Sequence, residues 1–184
     1  MIRNEIPHLE RFFRTRGRVY IVADSELAYA DGTQQFIAVG DRLVESYGRI
    51  RLAKITGLLA HEKGHLFQTG WNFDGVLLDT GGHHVKYVEL HADYLAGCYK
   101  AWRGQTRAVD AQALSGDFYR LGDRKFGSKN HHGTHPERFG AFVNGFLQFK
   151  DALERNRNAD VKLAAAMGLK YVQALLQNRK KTVR

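Results

Sequence analysis

The stretch "GLLAHEKGHLFQTG", Gly57 to Gly70, sets His61 and His65 four residues apart, with Glu62 directly after the first. On a helix, residues four apart share a face, so both imidazoles can turn toward one ion. Imidazole nitrogen suits Zn2+, and a catalytic zinc takes three protein ligands and keeps one position for water. Glu62 then stands where its carboxylate can reach that water, which is the mechanical content of an H-E-x-x-H motif. The bland alternative is a solvated helix with two surface histidines and an ordinary glutamate. Leu58, Leu59 and Leu66 surround the motif and argue for a packed helix. Imidazoles buried on such a helix without a partner would be costly.

The motif needs a third ligand. "VKYVELHADYLAG" offers Glu89, with Asp93 four residues on along the same helical face. Glu89 would complete a His-His-Glu set. Asp93 would accept the outer N–H of a ligand histidine and hold its tautomer. Two alternatives stand beside this reading. The acids could form an exposed stripe on a solvated face, or His83 or His84, at the Gly81-Gly82 turn, could replace Glu89. His91 falls on nearly the opposite side of its helix from Glu89 and is excluded as a ligand.

These side chains need elements to carry them. The apolar residues Leu52, Ile55, Leu58, Leu59 and Leu66 follow helical spacing and predict a helix over about Ile50–Gln68, stopped by Gly70. A second long helix is predicted over about His84–Trp102. Further helices are predicted at about Ala108–Leu121, Pro136–Lys150 and Asp160–Leu176. Ahead of them, "RVYIVAD" (Arg18–Asp24) reads as a strand and "LAYADGTQQFIAVGD" as a hairpin turning at Asp31-Gly32. A little sheet followed by helices gives an α+β class. The expected layout is one domain over residues 1–184, with a basic flexible tail from about residue 177.

Three blocks in order, "LLAHEKGHLFQ", "ELHADYLAG" and "LGDRKFGSKNHHGTHPERFGAFVNGF", resemble the bacterial neutral zinc metallopeptidases of the gluzincin type over about Ala53 to Phe146. "ELAYADGTQQFIAVGDRLVE" is similar to the edge-strand segment before the active-site helix of membrane-type gluzincins. The resemblance implies a zincin-like fold, one zinc on His61, His65 and Glu89, Glu62 as general base, Asp93 behind a ligand, and peptide-bond hydrolysis. The sequence departs from the pattern at Lys63, where an aromatic or aliphatic residue is usual, and at His91, where a glutamine is expected. The gap between Leu66 and Val88 is compact, and no membrane segment is present.

In this reading zinc acidifies its water and polarises the scissile carbonyl. Glu62 carries the water's proton to the leaving nitrogen. The oxyanion needs a further donor, and "NHHGTHPERF" supplies candidates: His135 first, then His132 and Arg138, with Tyr87 and Tyr94 in reserve. The same segment reads as a helix start, with Thr134 as N-cap, Pro136 in the first turn and Glu137 near the dipole. The two roles are compatible, because a capped start is a rigid mount for a donor. The strand Gln35–Val39 is expected to pair with an extended peptide by edge addition.

Composition bounds the rest. The chain has 184 residues, 43% hydrophobic and 26% charged, enough for one sizeable core in an ordinary globular protein. No apolar run approaches the roughly 18 residues that span a bilayer. The N-terminus lacks the apolar core of a secretory signal. A single cysteine, Cys98, excludes an internal disulfide, fits a cytoplasmic setting, and reads as a small core residue. The net charge of +9 gathers at both ends: five Arg from Arg3 to Arg18, and nine Lys/Arg against three acids from Lys150 to Arg184. Such ends favour weak, non-specific nucleic-acid contact or simply a solvated surface. The leading function is a zinc-dependent endopeptidase acting on a peptide or protein. The alternatives are a protease for nucleic-acid-bound proteins and a zinc-binding regulatory module without turnover.

Overall fold

The chain enters its fold as a helix, ahead of the sheet expected to come first. In the computed structural model, which describes residues 2–47, 51–73, 77, 85–104 and 132–182, α1 spans Ile2–Phe13 with Pro7 inside it. Proline gives up a helical hydrogen bond, so local propensity alone does not make this helix. Tertiary packing does. Leu9, Phe12 and Phe13 are buried. Phe12 meets Phe13, Tyr99 and Phe149 edge-on at 4.9, 5.5 and 5.9 Å between ring centres. The buried Glu5 carboxylate accepts from the Tyr99 hydroxyl and from Arg103 Nε at 3.2 Å.

Three short strands follow: β1 (Arg18–Val22), β2 (Ala28–Asp31) and β3 (Phe36–Gly40). Their order is β1-β3-β2, with β1 parallel and β2 antiparallel to β3. The hairpin is present, and its turn is set by Asp31, whose Oδ1 accepts from the backbone N–H of Thr33 (2.9 Å) and Gln34 (2.8 Å). β3 is the buried central strand, which overturns one expectation. The segment Gln35–Val39 cannot receive a peptide by edge addition, because both edges of β3 are taken. Among the described residues the free edge beside the hairpin belongs to β2.

Five helices follow the sheet among the described residues: α2 (Asp41–Ser46), α3 (Arg51–Gly70), α4 (Val85–Arg103), α5 (His135–Arg155) and α6 (Val161–Thr182). The class is α+β. Helices α3 to α6 match the periodicity reading, with α5 and α6 each running about five residues longer. The helix expected at 108–121 lies outside the described residues, as do His83 and His84. Residues 177–182 continue α6 as helical backbone.

The central element is α4, buried at every position from Leu90 to Lys100 and packed against α1, α3, α5 and α6. Small residues let the helices close in. A Cβ on Gly64 of α3 would stand 3.3 Å from Ala92 Cα. A Cβ on Gly97 would stand 2.1 Å from the Phe142 carbonyl, and one on Gly145 would stand 2.1 Å from that of Tyr94. Cys98 sits in this seam as a buried core residue. No helix of the described residues is long and apolar enough to cross a membrane.

Candidate metal centre

Helix α3 carries His61, Glu62 and His65, and α4 carries Glu89 and Asp93. The contact between Gly64 and Ala92 lies between these groups and brings them face to face. His61 Nε2 and His65 Nε2 are 3.1 Å apart. Each is 3.4 Å from a Glu89 oxygen. One ligand atom from each of the three residues lies within 4.8 Å of the others, a group able to hold a metal ion. His61 and Glu62 are buried, at 4% and 5% exposure, while the His65 and Glu89 side chains keep 20% and 14%.

The outer nitrogens are occupied. His61 Nδ1 lies 2.8 Å from Asp93 Oδ1, and His65 Nδ1 lies 2.8 Å from Gln68 Oε1. A proton on each Nδ1 leaves both Nε2 lone pairs aimed at the same point, where a cation or a shared proton must separate them. Gln68 was not anticipated. Its only sequence signal is its place three residues after His65, which puts it on the same helical face.

Arg138, from the first turns of α5, binds both carboxylates from behind. Its Nε is 2.5 Å from Asp93 Oδ2, its Nη2 2.8 Å from Asp93 Oδ1, and its Nη1 2.9 Å from Glu89 Oε2. Arg138, expected as an oxyanion or substrate contact, has its guanidinium buried and engaged with carboxylates on all three nitrogens, and it also lines the cleft into which the site opens. The capping box that starts α5 holds it in place. The Thr134 hydroxyl accepts from Glu137 N–H at 3.3 Å, and the Glu137 carboxylate accepts from Thr134 N–H at 2.8 Å. Lys86 of α4 also binds Glu137.

The electrostatics follow from burial and these pairs. Burial pulls His61 down, but the charge and hydrogen bond of Asp93 prevail and lift it to about 10. Burial pushes Glu89 up, yet its bonds to His61 and His65 hold it well below the usual carboxylate range. Glu62 is raised, chiefly by burial, against the pull of both histidines. Lys63 points to the other side of α3. Its Nζ lies 3.4 Å from the Thr15 carbonyl, and burial lowers its pKa.

The site opens into a cleft of about 590 Å³. β2 and the residues before it, Glu26 to Ala30, form one wall, and Leu43, Leu58 and Val88 supply apolar lining. His132 lines this cleft and His135 does not; His135 is the first residue of α5. The two reserve tyrosines are elsewhere. Tyr87 is buried in a second core cluster with Leu90, Ala141 and Val172. The Tyr94 hydroxyl donates to Gln148 Oε1 at 2.8 Å, with its ring against Tyr171. His91, excluded as a ligand, is fully buried and bonds Gln68 and the Ala165 carbonyl at 3.0 and 3.1 Å. No protein-family model, curated protein or solved structure matches this chain, and its chemistry is read from the geometry of the site.

Proposed function

We propose that this chain is a zinc-dependent endopeptidase of zincin-like fold, with zinc on His61, His65 and Glu89 and with Glu62 as general base. One observation carries the reading. The two imidazole Nε2 atoms stand 3.1 Å apart and each lies 3.4 Å from a different oxygen of Glu89, beside a buried glutamate, at the floor of a cleft walled by a strand whose outer edge is unpaired among the described residues. Ligands about 2.1 Å from a tetrahedral zinc lie about 3.4 Å from one another, so the donor set fits such an ion. Charge supports the fit. Asp93, Glu89 and an ionised Glu62 face one guanidinium, and a divalent ion makes the buried cluster neutral.

Bound zinc supplies a Lewis acid and an acidified water. The protein's own groups do the rest. Glu62, with its pKa raised by burial, is poised to take a proton and return it to the leaving nitrogen. Asp93 and Gln68 orient the two imidazoles. Arg138 fixes Asp93 and Glu89 while also lining the cleft. The β2 edge that is unpaired among the described residues is where an extended peptide can lie. His132, on the cleft wall, is the preferred oxyanion donor, and His135 at the head of α5 is the second candidate.

The test is metal content together with an unbiased peptide-library digest. We expect one zinc per chain, much weaker retention in Glu89→Ala, and full zinc without cleavage in Glu62→Gln. The general base contributes roughly 100- to 10,000-fold to rate. Undiminished cleavage by Glu62→Gln sinks the mechanism. A wild type that binds zinc and cleaves nothing turns the reading toward a zinc-binding module without turnover.

A further inference from the structure

The polar contacts that reach furthest from the centre run from His65 into α6. His65 Nδ1 meets Gln68 Oε1 at 2.8 Å. Gln68 Nε2 meets the Val88 carbonyl at 2.9 Å and His91 Nδ1 at 3.0 Å. His91 Nε2 meets the Ala165 carbonyl at 3.1 Å. Gln68 and His91 are both fully buried.

Backbone carbonyls only accept, and two of them order every proton along this line. Ala165 requires the His91 proton on Nε2, which leaves Nδ1 as an acceptor. Val88 requires the Gln68 amide nitrogen to face α4, where its two N–H groups serve Val88 and His91. The Gln68 oxygen is left facing His65, which must then carry its proton on Nδ1. The His65 Nε2 lone pair is thereby turned toward His61 and Glu89. The relay has little room to rearrange. Phe73 stacks on the His91 ring at 5.5 Å and 17°, and α6 presents Gly168 to it, where a Cβ would stand 2.8 Å from His91 Cδ2.

We infer that Gln68 and His91 are positioning residues, a proton-ordered relay that sets the His65 tautomer and ties metal affinity to the backbone of α6. The inference rests on the metal reading of the site. It assigns a use to the histidine that stands where the resembling family has a glutamine, since imidazole and amide each offer one acceptor and one donor at their ends.

The test pairs zinc affinity, measured by chelator competition, with nitrogen-resolved NMR of the histidine rings in the metal-free protein near neutral pH. In the wild type His91 should carry its proton on Nε2. Gln68→Met should weaken zinc by about 10- to 100-fold, the usual effect of losing such a support, and should shift the His91 Nδ1 resonance. His91→Gln should retain most of the affinity that His91→Leu loses. If Gln68→Met does not fold, Gly168→Ala displaces the His91 ring without removing a polar group, and the same two readouts should move. Unchanged affinity in these variants overturns the relay. So does affinity lost with the His91 signal unmoved, which is what a merely structural defect would give. A wild type without zinc affinity defeats the metal reading, and the relay is then judged on the spectrum, where His91 protonated on Nδ1 overturns it.

Discussion

Arg138 shows at the scale of one residue why this centre needs its surroundings. Asp93 is fully buried and Glu89 half-buried, and a single guanidinium binds both. Replacing it with an apolar side chain leaves two carboxylates in a poor medium for charge. Arg138→Leu should therefore destabilise the metal-free protein by about 3–5 kcal/mol, read by urea unfolding, and should weaken zinc binding in the same preparation. Arg138→Lys should recover little, because an ammonium cannot span two carboxylates as a planar fork does. Full recovery by lysine would show that only charge is needed.

At the scale of elements, the site depends on how closely α3, α4 and α5 approach. Gly97→Ala sets a methyl 2.1 Å from the Phe142 carbonyl and must part α4 from α5, at a cost of about 1–3 kcal/mol or more. Gly70→Ala meets nothing within 4 Å and should change stability by less than about 0.5 kcal/mol. Thr134→Ala removes half of the capping box that starts α5 and should cost about 1 kcal/mol. Thermal unfolding of the three variants gives the ranking. A Gly97→Ala protein as stable as the wild type would contradict the close α4–α5 packing.

The whole molecule carries two further expectations. Lys100 is buried between α1 and α4 near Glu5 and Arg103, and burial lowers it from 10.5 to about 8. Above about pH 8 the unfolded chain therefore holds a proton that the folded chain has released, so Lys100 alone contributes stability that grows as pH rises from about 8 toward 10. In the metal-free protein His61, raised to about 10, and Cys98, raised by burial, keep protons in the folded chain that the unfolded chain has lost and oppose this over the same range, and Tyr94 and Tyr99 add to the opposition above about pH 10. Denaturant titrations of the metal-free proteins should show Lys100→Met losing stability more steeply than the wild type between about pH 8 and 10. Some of the basic residues at the two ends are engaged on the surface of the fold. Arg14 pairs with Asp160 at 3.0 Å, Arg11 lies over Trp102, and Lys162 lies over Trp71. DNA binding should accordingly be weak and lost near physiological salt. Tight binding at high salt, or cleavage that requires DNA, would favour a protease for nucleic-acid-bound proteins. A chain ending at Leu176, the last buried residue described in α6, should keep its zinc.

The sequence by itself determined the ligand helix and its partner. His61, Glu62 and His65 lie on one turn of a strongly periodic segment, Glu89 and Asp93 lie one turn apart on another, and Thr134-His-Pro-Glu137 announces the start of α5. Each is a local pattern, legible because a helix turns spacing directly into a shared face. The hairpin was legible at Asp31-Gly32 for the same reason. The tertiary structure alone decided what lies between elements. Strand order was one such matter, since β1 lies beside β3 and leaves β2, not the Gln35–Val39 strand, as the edge on the cleft. Another was α1, which exists because Phe12, Phe13 and Glu5 find partners some ninety residues away. The surroundings of Arg138, Gln68 and His91 were also decided there. A guanidinium can serve a substrate or a carboxylate, and a buried histidine can be ligand, filler or relay. Which of these holds depends on groups brought from distant positions by packing, and no spacing along the chain encodes their distance in space.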